Sequence, residues 1–175
     1  MPAGNDLVCL NEINTATFSR KGAAKVMLSS EEISRYGDPG AFMLMKLWAV
    51  KEAAYKYFCK KGNRTPFHPA DYIVSFFNDG KSGEVCFGSS QCRFLLTLTD
   101  RYIHAVCSSV PGEYRVAVGS EEDPLLFLLT GNTDAKVKKD SDGIPFLYIN
   151  GKPVADISKS DDEGLLAFVM HDDGG

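Results

Sequence analysis

The sequence predicts an α+β fold, because one long helical segment is followed by a run of strand-like segments rather than by alternating strands and helices. Residues 41–61 repeat apolar side chains with a helical period, with Asp38 and Pro39 as start residues and Gly62 as a stop residue. Beyond this helix the apolar period falls to two in four segments rich in aromatic and β-branched side chains: residues 72–77, 84–87, 93–99 and 102–108. We therefore predict a helix followed by an antiparallel meander.

The elements before the long helix are shorter. Residues 7–13 are predicted to form a strand that is entered through Gly4-Asn5-Asp6. Ser29 and Glu32 have the spacing of a capping box, which predicts a short helix ending near Gly37. Between the strand and this helix lies a basic segment, residues 18–25.

A second group of elements follows a possible boundary at Pro111-Gly112. Residues 125–129 are continuously apolar, so they fit a short helix begun at Asp123-Pro124 and a buried strand equally well. Asn150-Gly151 between residues 146–149 and 154–157 indicates a β-hairpin, and residues 165–170 are predicted to form a last buried strand. We predict one domain of two lobes, residues 1–110 and 111–175.

Composition limits the function classes. The 175 residues carry a formal net charge of −4, which argues against a general nucleic-acid-binding field. Lys46 interrupts the longest apolar run, so no membrane segment is predicted, and the N-terminus has no signal-peptide pattern. Five cysteines without C-x-x-C spacing are predicted to be buried thiols in a reducing compartment, by default the cytoplasm.

Glu52 is the first candidate site residue, because the helical period places it on the predicted buried stripe of the long helix. That stripe contains five other side chains: Ala41, Met45, Trp48, Tyr55 and Cys59. A carboxylate on a buried face needs a cation, a donor or a metal ion. The simplest interpretation is a structural Glu52–Lys56 ion pair, and Asp6 likewise fits a turn aspartate as well as a site residue. The three histidines lack metal-ligand spacing, and His104, which alternates within a predicted strand, is predicted to be structural.

Taken together, four segments resemble the 4′-phosphopantetheinyl transferases. They are Gly4-Asn5-Asp6-Leu7-Val8, the basic residues 18–25, the helix start at residues 29–32, and W-x-x-K-E-A-x-x-K at residues 48–56, in the family's order. The resemblance implies two pseudo-symmetric lobes, each an antiparallel sheet packed on a helix.

The resemblance also implies site residues and a reaction. Asp6 and Glu52 would hold Mg²⁺ against the pyrophosphate of coenzyme A, with Lys56 acting on the phosphates and Lys51 binding the cofactor. Glu52 or a metal-bound water would take the proton of a serine on an apo acyl or peptidyl carrier protein. The serine would accept 4′-phosphopantetheine and adenosine 3′,5′-bisphosphate would leave, a step that serves fatty acid biosynthesis when the acceptor is an acyl carrier protein.

Residues 142–146 and 156–160 look like the family's G-K-P and S-H-S motifs, so Ser158 and Lys159 are predicted to bind coenzyme A. In surfactin-type members these motifs precede the G-I-D motif, so their position here suggests lobes in swapped order. Three residues depart from the family pattern: Val8 for a second acid, Ile144 for the motif lysine and Lys159 for the motif histidine.

Two other functions remain open from the sequence. A non-catalytic member of the fold could bind carrier proteins without turnover, and an unrelated binding module could carry a structural Glu52–Lys56 pair. For carrier-protein docking the candidates are Arg20, Lys21, Lys25 and Arg35, which fit a solvated basic loop equally well.

Overall fold

The computed structural model describes residues 1–110 and 114–172, which form two five-stranded antiparallel sheets and five α-helices. The first sheet comprises β1 (Ala3–Cys9), β2 (Tyr72–Phe76), β3 (Ser82–Phe87), β4 (Ser90–Leu98) and β5 (Tyr102–Ser108). The second comprises β6 (Tyr114–Gly119), β7 (Lys136–Lys139), β8 (Pro145–Ile149), β9 (Lys152–Asp162) and β10 (Leu165–His171). The helices are α1 (Glu12–Phe18), α2 (Ala23–Met27), α3 (Ser30–Tyr36), α4 (Ala41–Lys60) and α5 (Glu122–Thr130).

The two lobes repeat one topology. The strand order is β1-β5-β4-β3-β2 in the first sheet and β6-β10-β9-β8-β7 in the second, so each sheet places its first strand at an edge beside its last. Each lobe also has its main helix, α4 or α5, between its first and second strands. The predicted α+β architecture of two related lobes is therefore confirmed. The predicted boundary at Pro111-Gly112 lies outside the described residues.

Local capping patterns predicted several element ends. Ser29 and Glu32 form the capping box of α3, and α5 rather than a strand contains residues 125–129. Asn63 N–H donates to the Phe58 carbonyl and Gly62 N–H to that of Cys59, which is the Schellman arrangement that ends α4. The start of α4 was misplaced, because Gly40 occupies the N-cap instead of Asp38.

Other elements differ from the prediction. The first strand lies earlier in the chain than residues 7–13, and the basic segment contains parts of α1 and α2. The edge strands β6 and β7 were not predicted. No disulfide joins the cysteines, but Cys86 is exposed and Cys59 only half-buried, so burial of all five thiols was wrong.

The buried stripe of α4 was also wrong. The helix buries ten residues: Leu44, Met45, Leu47, Ala49, Val50, Lys51, Ala53, Ala54, Tyr57 and Phe58. These surround most of the helix, because the first sheet covers one side while α1, α2 and the 69–71 turn pack on another. Trp48 and Glu52 are consequently only half-buried, at the margin where the second lobe approaches.

The lobes meet where β1 packs on β9 and β10. Asn5 N–H donates to Ser158 Oγ at 3.0 Å, and Cys9 N–H donates to Asp162 Oδ2 at 2.6 Å. At the C-terminal end of α4, Lys60 binds the Asp156 carboxylate and the Ile157 carbonyl. Polar contacts therefore join both β1 and the C-terminal end of α4 to the second lobe.

Candidate functional site

Two adjoining cavities lie at the junction of the lobes. The carboxylate cavity, of about 560 Å³, is lined by Asp6, Trp48 and Glu52 among others. The hairpin cavity, of about 400 Å³, lies between Tyr55 of α4 and the turn that joins β7 to β8. Four charged side chains line both cavities: Lys56, Lys139, Lys159 and Asp161. We call the two cavities together the cleft.

Gly4 determines how close Asp6 comes to α4. A Cβ atom at Gly4 would lie 2.0 Å from the Ala53 carbonyl oxygen and 2.4 Å from the Tyr57 nitrogen, so only glycine lets the two backbones touch. Asp6 lies two residues further along the same strand and therefore faces the helix as Gly4 does. Its Oδ1 accepts a hydrogen bond from Lys56 Nζ at 2.8 Å.

The surroundings disfavour negative charge on the two carboxyl groups. The pKa of Asp6 is raised to about 6, chiefly by burial; the Lys56 ammonium only partly offsets this rise, and the Glu52 carboxylate adds to it. Burial also raises the pKa of Glu52, and Lys56 opposes that shift less strongly. The two acids are close enough to influence each other, and one lysine does not neutralise them.

The simplest interpretation of Glu52 was a structural pair with Lys56, and that pair is absent. Lys56 binds Asp6, while Glu52 has no ion pair in the part of the chain that the structure describes. Glu52 is thus a half-buried carboxylate aimed into a cavity without a protein cation of its own.

This donor set fits a magnesium ion. Mg²⁺ is typically held by one or two carboxylates, with substrate phosphates and waters completing its shell. Asp6 and Glu52 are two hard oxygen ligands in one cavity with unneutralised charge. Across the described residues there is no group of three or more metal-ligating side chains, and Val8 adds no third acid.

Lys51 is not brought to the cleft, so its predicted role in cofactor binding is not supported by its position. Its side chain is fully buried, and Nζ donates to Glu32 Oε2 at 2.6 Å, to the Pro69 carbonyl at 2.9 Å and to the Tyr72 carbonyl at 2.7 Å. An ammonium has three N–H groups, and all three are used. Lys51 joins α4 to α3 and β2.

The predicted cofactor-binding residues of the second lobe do line the cleft, but both have protein partners. Ser158 Oγ accepts the Asn5 N–H across the lobe seam. Lys159 Nζ donates to Glu122 Oε2 at 2.6 Å and lies 5.5 Å from the centre of the Phe168 ring. Ile144 lines the hairpin cavity as an apolar residue.

Two of the four charged side chains that line both cavities were missed from the sequence, Lys139 and Asp161. Lys139 ends β7, a lysine-rich strand with little apolar alternation, so no pattern placed it near α4. Asp161 lies near the end of β9 beyond the S-H-S-like segment. The only available indication was their position in the sequence: Lys139 precedes, and Asp161 follows, a segment that resembles a family motif.

A separate basic cavity of about 560 Å³ lies beside α1, α2 and the start of α4. Arg20, Lys21 and Lys25 line it, as candidates for carrier-protein docking. Arg35 is not among its lining residues and pairs with Glu31 at 2.6 Å.

The chain is similar to one described family. The profile of the 4′-phosphopantetheinyl transferase superfamily matches residues 2–118, a span that contains Asp6, Glu52 and Lys56. Among curated protein sequences, none matches the chain. In the described part of the chain, no helix has the length and apolar character needed to span a membrane.

Proposed function

Because the chain belongs to the 4′-phosphopantetheinyl transferase superfamily, we propose that it transfers 4′-phosphopantetheine from coenzyme A to a serine of an acyl carrier protein with Mg²⁺. The observation that carries the proposal is the placement of Asp6, Glu52 and Lys56 around one cavity at the lobe junction. A peptidyl carrier protein presents the same serine, so the assay below includes both acceptors.

Asp6 and Glu52 are the residues that would hold the magnesium ion. When bound, Mg²⁺ neutralises charge on the phosphate oxygens and so makes the phosphorus easier to attack. The raised pKa values of both acids support this assignment, because a nearby dication would stabilise the charged forms that the protein alone disfavours.

Lys56 and Glu52 supply the remaining chemistry. The Lys56 ammonium lies 2.8 Å from Asp6 and lines both cavities, where it can stabilise charge on the bridging phosphates. Glu52 accepts the proton of the serine hydroxyl as the general base. The serine Oγ then forms a bond to the β-phosphorus, and the bond between the β-phosphorus and the bridging oxygen breaks. Adenosine 3′,5′-bisphosphate leaves with the bridging oxygen.

The hairpin cavity is the place we assign to the nucleotide end of coenzyme A. Tyr55, Ile144 and Pro145 give it flat and apolar walls, and Ser158 and Lys159 lie on its second-lobe side. Lys159 can meet a phosphate as a point charge, whereas Ile144 cannot.

A non-catalytic carrier-protein-binding protein is the second candidate. It is favoured by the apolar Ile144 and by the engagement of Lys159 with Glu122, since both reduce the free positive charge for a nucleotide. Retention of both acids around one cavity favours the transferase.

The test is transfer measured by the intact mass of the carrier protein, with coenzyme A, Mg²⁺ and apo acyl or peptidyl carrier proteins. We expect the wild type to add one phosphopantetheine group. Glu52→Gln should lower turnover at least about a hundredfold, the scale of a lost general base. The variant should melt at or above the wild-type temperature, because it removes a carboxylate whose charge burial disfavours. Glu84→Gln, a carboxylate on β3 outside the cleft, is the control and should retain activity.

Carrier binding by the wild type without any mass shift would replace the transferase by the second candidate. A Glu52→Gln variant that melts far below the wild type would show that Glu52 is a structural residue.

A further inference from the structure

Lys139 differs from the other lysines of the cleft, because it has no partner. Lys56 binds Asp6, Lys60 binds Asp156 and Lys159 binds Glu122. Within residues 1–110 and 114–172, no carboxylate, hydrogen-bond acceptor or aromatic ring binds the Lys139 ammonium. Asp161 lines the same two cavities, but no ion pair joins it to Lys139.

Strand alternation explains why Lys139 faces the cleft. Lys136 and Lys138 lie on one face of β7, where Lys136 pairs with Asp123 at 2.8 Å and Lys138 lies 5.2 Å from the Tyr148 ring centre. Lys139 shares the opposite face with Val137, which packs against the core of the second lobe. At the end of that face, Lys139 lines the cleft together with Lys56 of α4.

The backbone around Lys139 is held in place. Lys139 pairs with Pro145 across the β7–β8 hairpin. In the turn, Asp140 Oδ1 accepts N–H groups from Asp142 and Ile144, each at 2.9 Å. Asp142 in turn pairs with Arg64, just beyond the end of α4, at 2.6 Å. The strand end is therefore fixed relative to both lobes, while the lysine side chain itself is exposed and free to meet a ligand.

We propose that Lys139 is a substrate-binding residue that binds a phosphate group of coenzyme A from the second lobe. The inference rests on the proposed function for the identity of the ligand. Lys139 lines both the cavity with the two acids and the cavity assigned to the nucleotide end, so its ammonium lies on the path that a bound molecule with several phosphates would follow. It also supplies, from across the hairpin, positive charge that Ile144 does not.

The test is the dissociation constant for coenzyme A, measured by calorimetry without carrier protein so that turnover is not needed. Lys139→Ala should raise this constant about three- to tenfold at low salt, as expected for loss of one exposed charge-assisted contact. Lys139→Arg should stay within about twofold of the wild type because it retains the charge. Lys138→Ala is the matched control on the opposite face and should leave the constant unchanged. Both Lys139 variants should melt with the wild type, since Lys139 has no contact to lose.

Dephospho-coenzyme A identifies which phosphate is bound. If Lys139→Ala weakens coenzyme A alone, Lys139 binds the ribose phosphate. If it weakens both molecules equally, Lys139 binds the pyrophosphate. Either result supports the proposal.

An unchanged dissociation constant for both molecules would overturn it, even in a protein that transfers phosphopantetheine. Conversely, a protein that binds coenzyme A through Lys139 without transferring it would refute the proposed function alone. Absence of any binding to the wild type would overturn the proposal whatever the transfer assay shows.

Discussion

Lys51 and Lys56 lie five residues apart on α4 and have opposite surroundings. Five residues turn the helix through about 140° beyond a full turn, so the two side chains leave it on different sides. Lys51 is fully buried with three protein acceptors, whereas the Lys56 side chain is 29% exposed and binds one acid at the rim of a cavity. Two lysines of one motif thus have different surroundings: Lys51 binds acceptors in the core, and Lys56 lines the cleft.

The Lys51–Glu32 pair carries two charges in a fully buried environment, where each charge is costly without the other. Burial lowers the pKa of Lys51, and the Glu32 carboxylate opposes that shift. Glu32 also accepts N–H groups from Ser29 and Val74, so its charge is spread over several donors. Removing one member leaves the other charged group buried without its counter-charge.

The largest expected effect is therefore on Lys51. Lys51→Ala should lower the free energy of unfolding by about 3–5 kcal/mol, because it leaves the Glu32 carboxylate buried and unpaired. Urea denaturation at pH 7 measures this. The double variant Lys51→Met/Glu32→Leu should recover part of the loss, since it removes both charges. A Lys51→Ala variant with wild-type stability and weakened coenzyme A binding would restore the role in cofactor binding that the sequence suggested.

His104 is a buried base that is held neutral. Burial lowers the pKa of His104 to about 4, with a smaller contribution from the Lys56 ammonium. Asn5 Nδ2 lies 3.1 Å from His104 Nε2 and is satisfied by an unprotonated nitrogen. The unfolded chain binds a proton near pH 6.5, so the wild type loses stability as the pH falls from about 6.5 to 4 and has lost about 3 kcal/mol at the end.

His104→Gln should lack this loss, because the amide can accept the same hydrogen bond and does not titrate. The measurement is the free energy of unfolding of both proteins at pH 7 and at pH 4. Asp6, whose raised pKa of about 6 makes its charge destabilising at neutral pH, changes stability in the opposite direction as the pH falls. Asp6 contributes equally to both proteins, so the difference between their free energies of unfolding reports the contribution of His104 alone. Parallel pH profiles would contradict the buried neutral histidine.

Lys56→Ala should show the reverse pattern to Lys51→Ala. We expect turnover about 10–30-fold below the wild type, because charge on the phosphates loses its ammonium. The loss of unfolding free energy should be smaller than for Lys51→Ala, because the Lys56 side chain is 29% exposed and Asp6, with its pKa raised to about 6, can take up a proton when its partner is removed. Transfer kinetics and thermal melts on the same samples measure both. If the two lysine variants lose stability equally, the division of roles between them is wrong.

The smallest effect should come from cations outside the motif. Reversing Arg20 and Lys21 to glutamate should raise the KM for an acidic carrier protein about three- to tenfold, more at low salt than at high salt, and leave the Kd for coenzyme A unchanged. The double variant Lys81→Glu/Lys152→Glu alters the net charge by the same amount elsewhere and is the control. Equal KM values for the two double variants would show that the basic cavity is not the docking surface.

Local patterns explain what could be predicted from the sequence. The capping box at Ser29, the Schellman end at Gly62 and the hairpin at Asn150-Gly151 each depend on neighbouring residues, and the structure has all three. The resemblance predicted that Asp6, Glu52 and Lys56 lie together; all three line one cavity, because Gly4 lets β1 approach α4 closely.

Contacts between distant elements explain what could not be predicted. The helical period assumes a single buried side, but α4 is covered on several, so Lys51 was buried and Trp48 half-exposed. The partner of Lys51 is Glu32, 19 residues earlier on another helix, and no spacing rule connects them. Lys139 reaches the cleft only because the β7–β8 hairpin lies over α4. The sequence of a short polar strand does not predict that packing.

The seam between the lobes has a further consequence for β1. As the edge strand of its sheet, β1 would present a row of open N–H groups on which another chain could add a strand, the usual start of aggregation. Ser158 and Asp162 of β9 accept the N–H groups of Asn5 and Cys9, and the Asp6 carboxylate receives that of Leu7. The second lobe thus protects the exposed edge of β1 from pairing with another chain. Separation of the second lobe from β1 would expose this edge to strand pairing with another molecule, together with the Asp6 and Glu52 carboxylates.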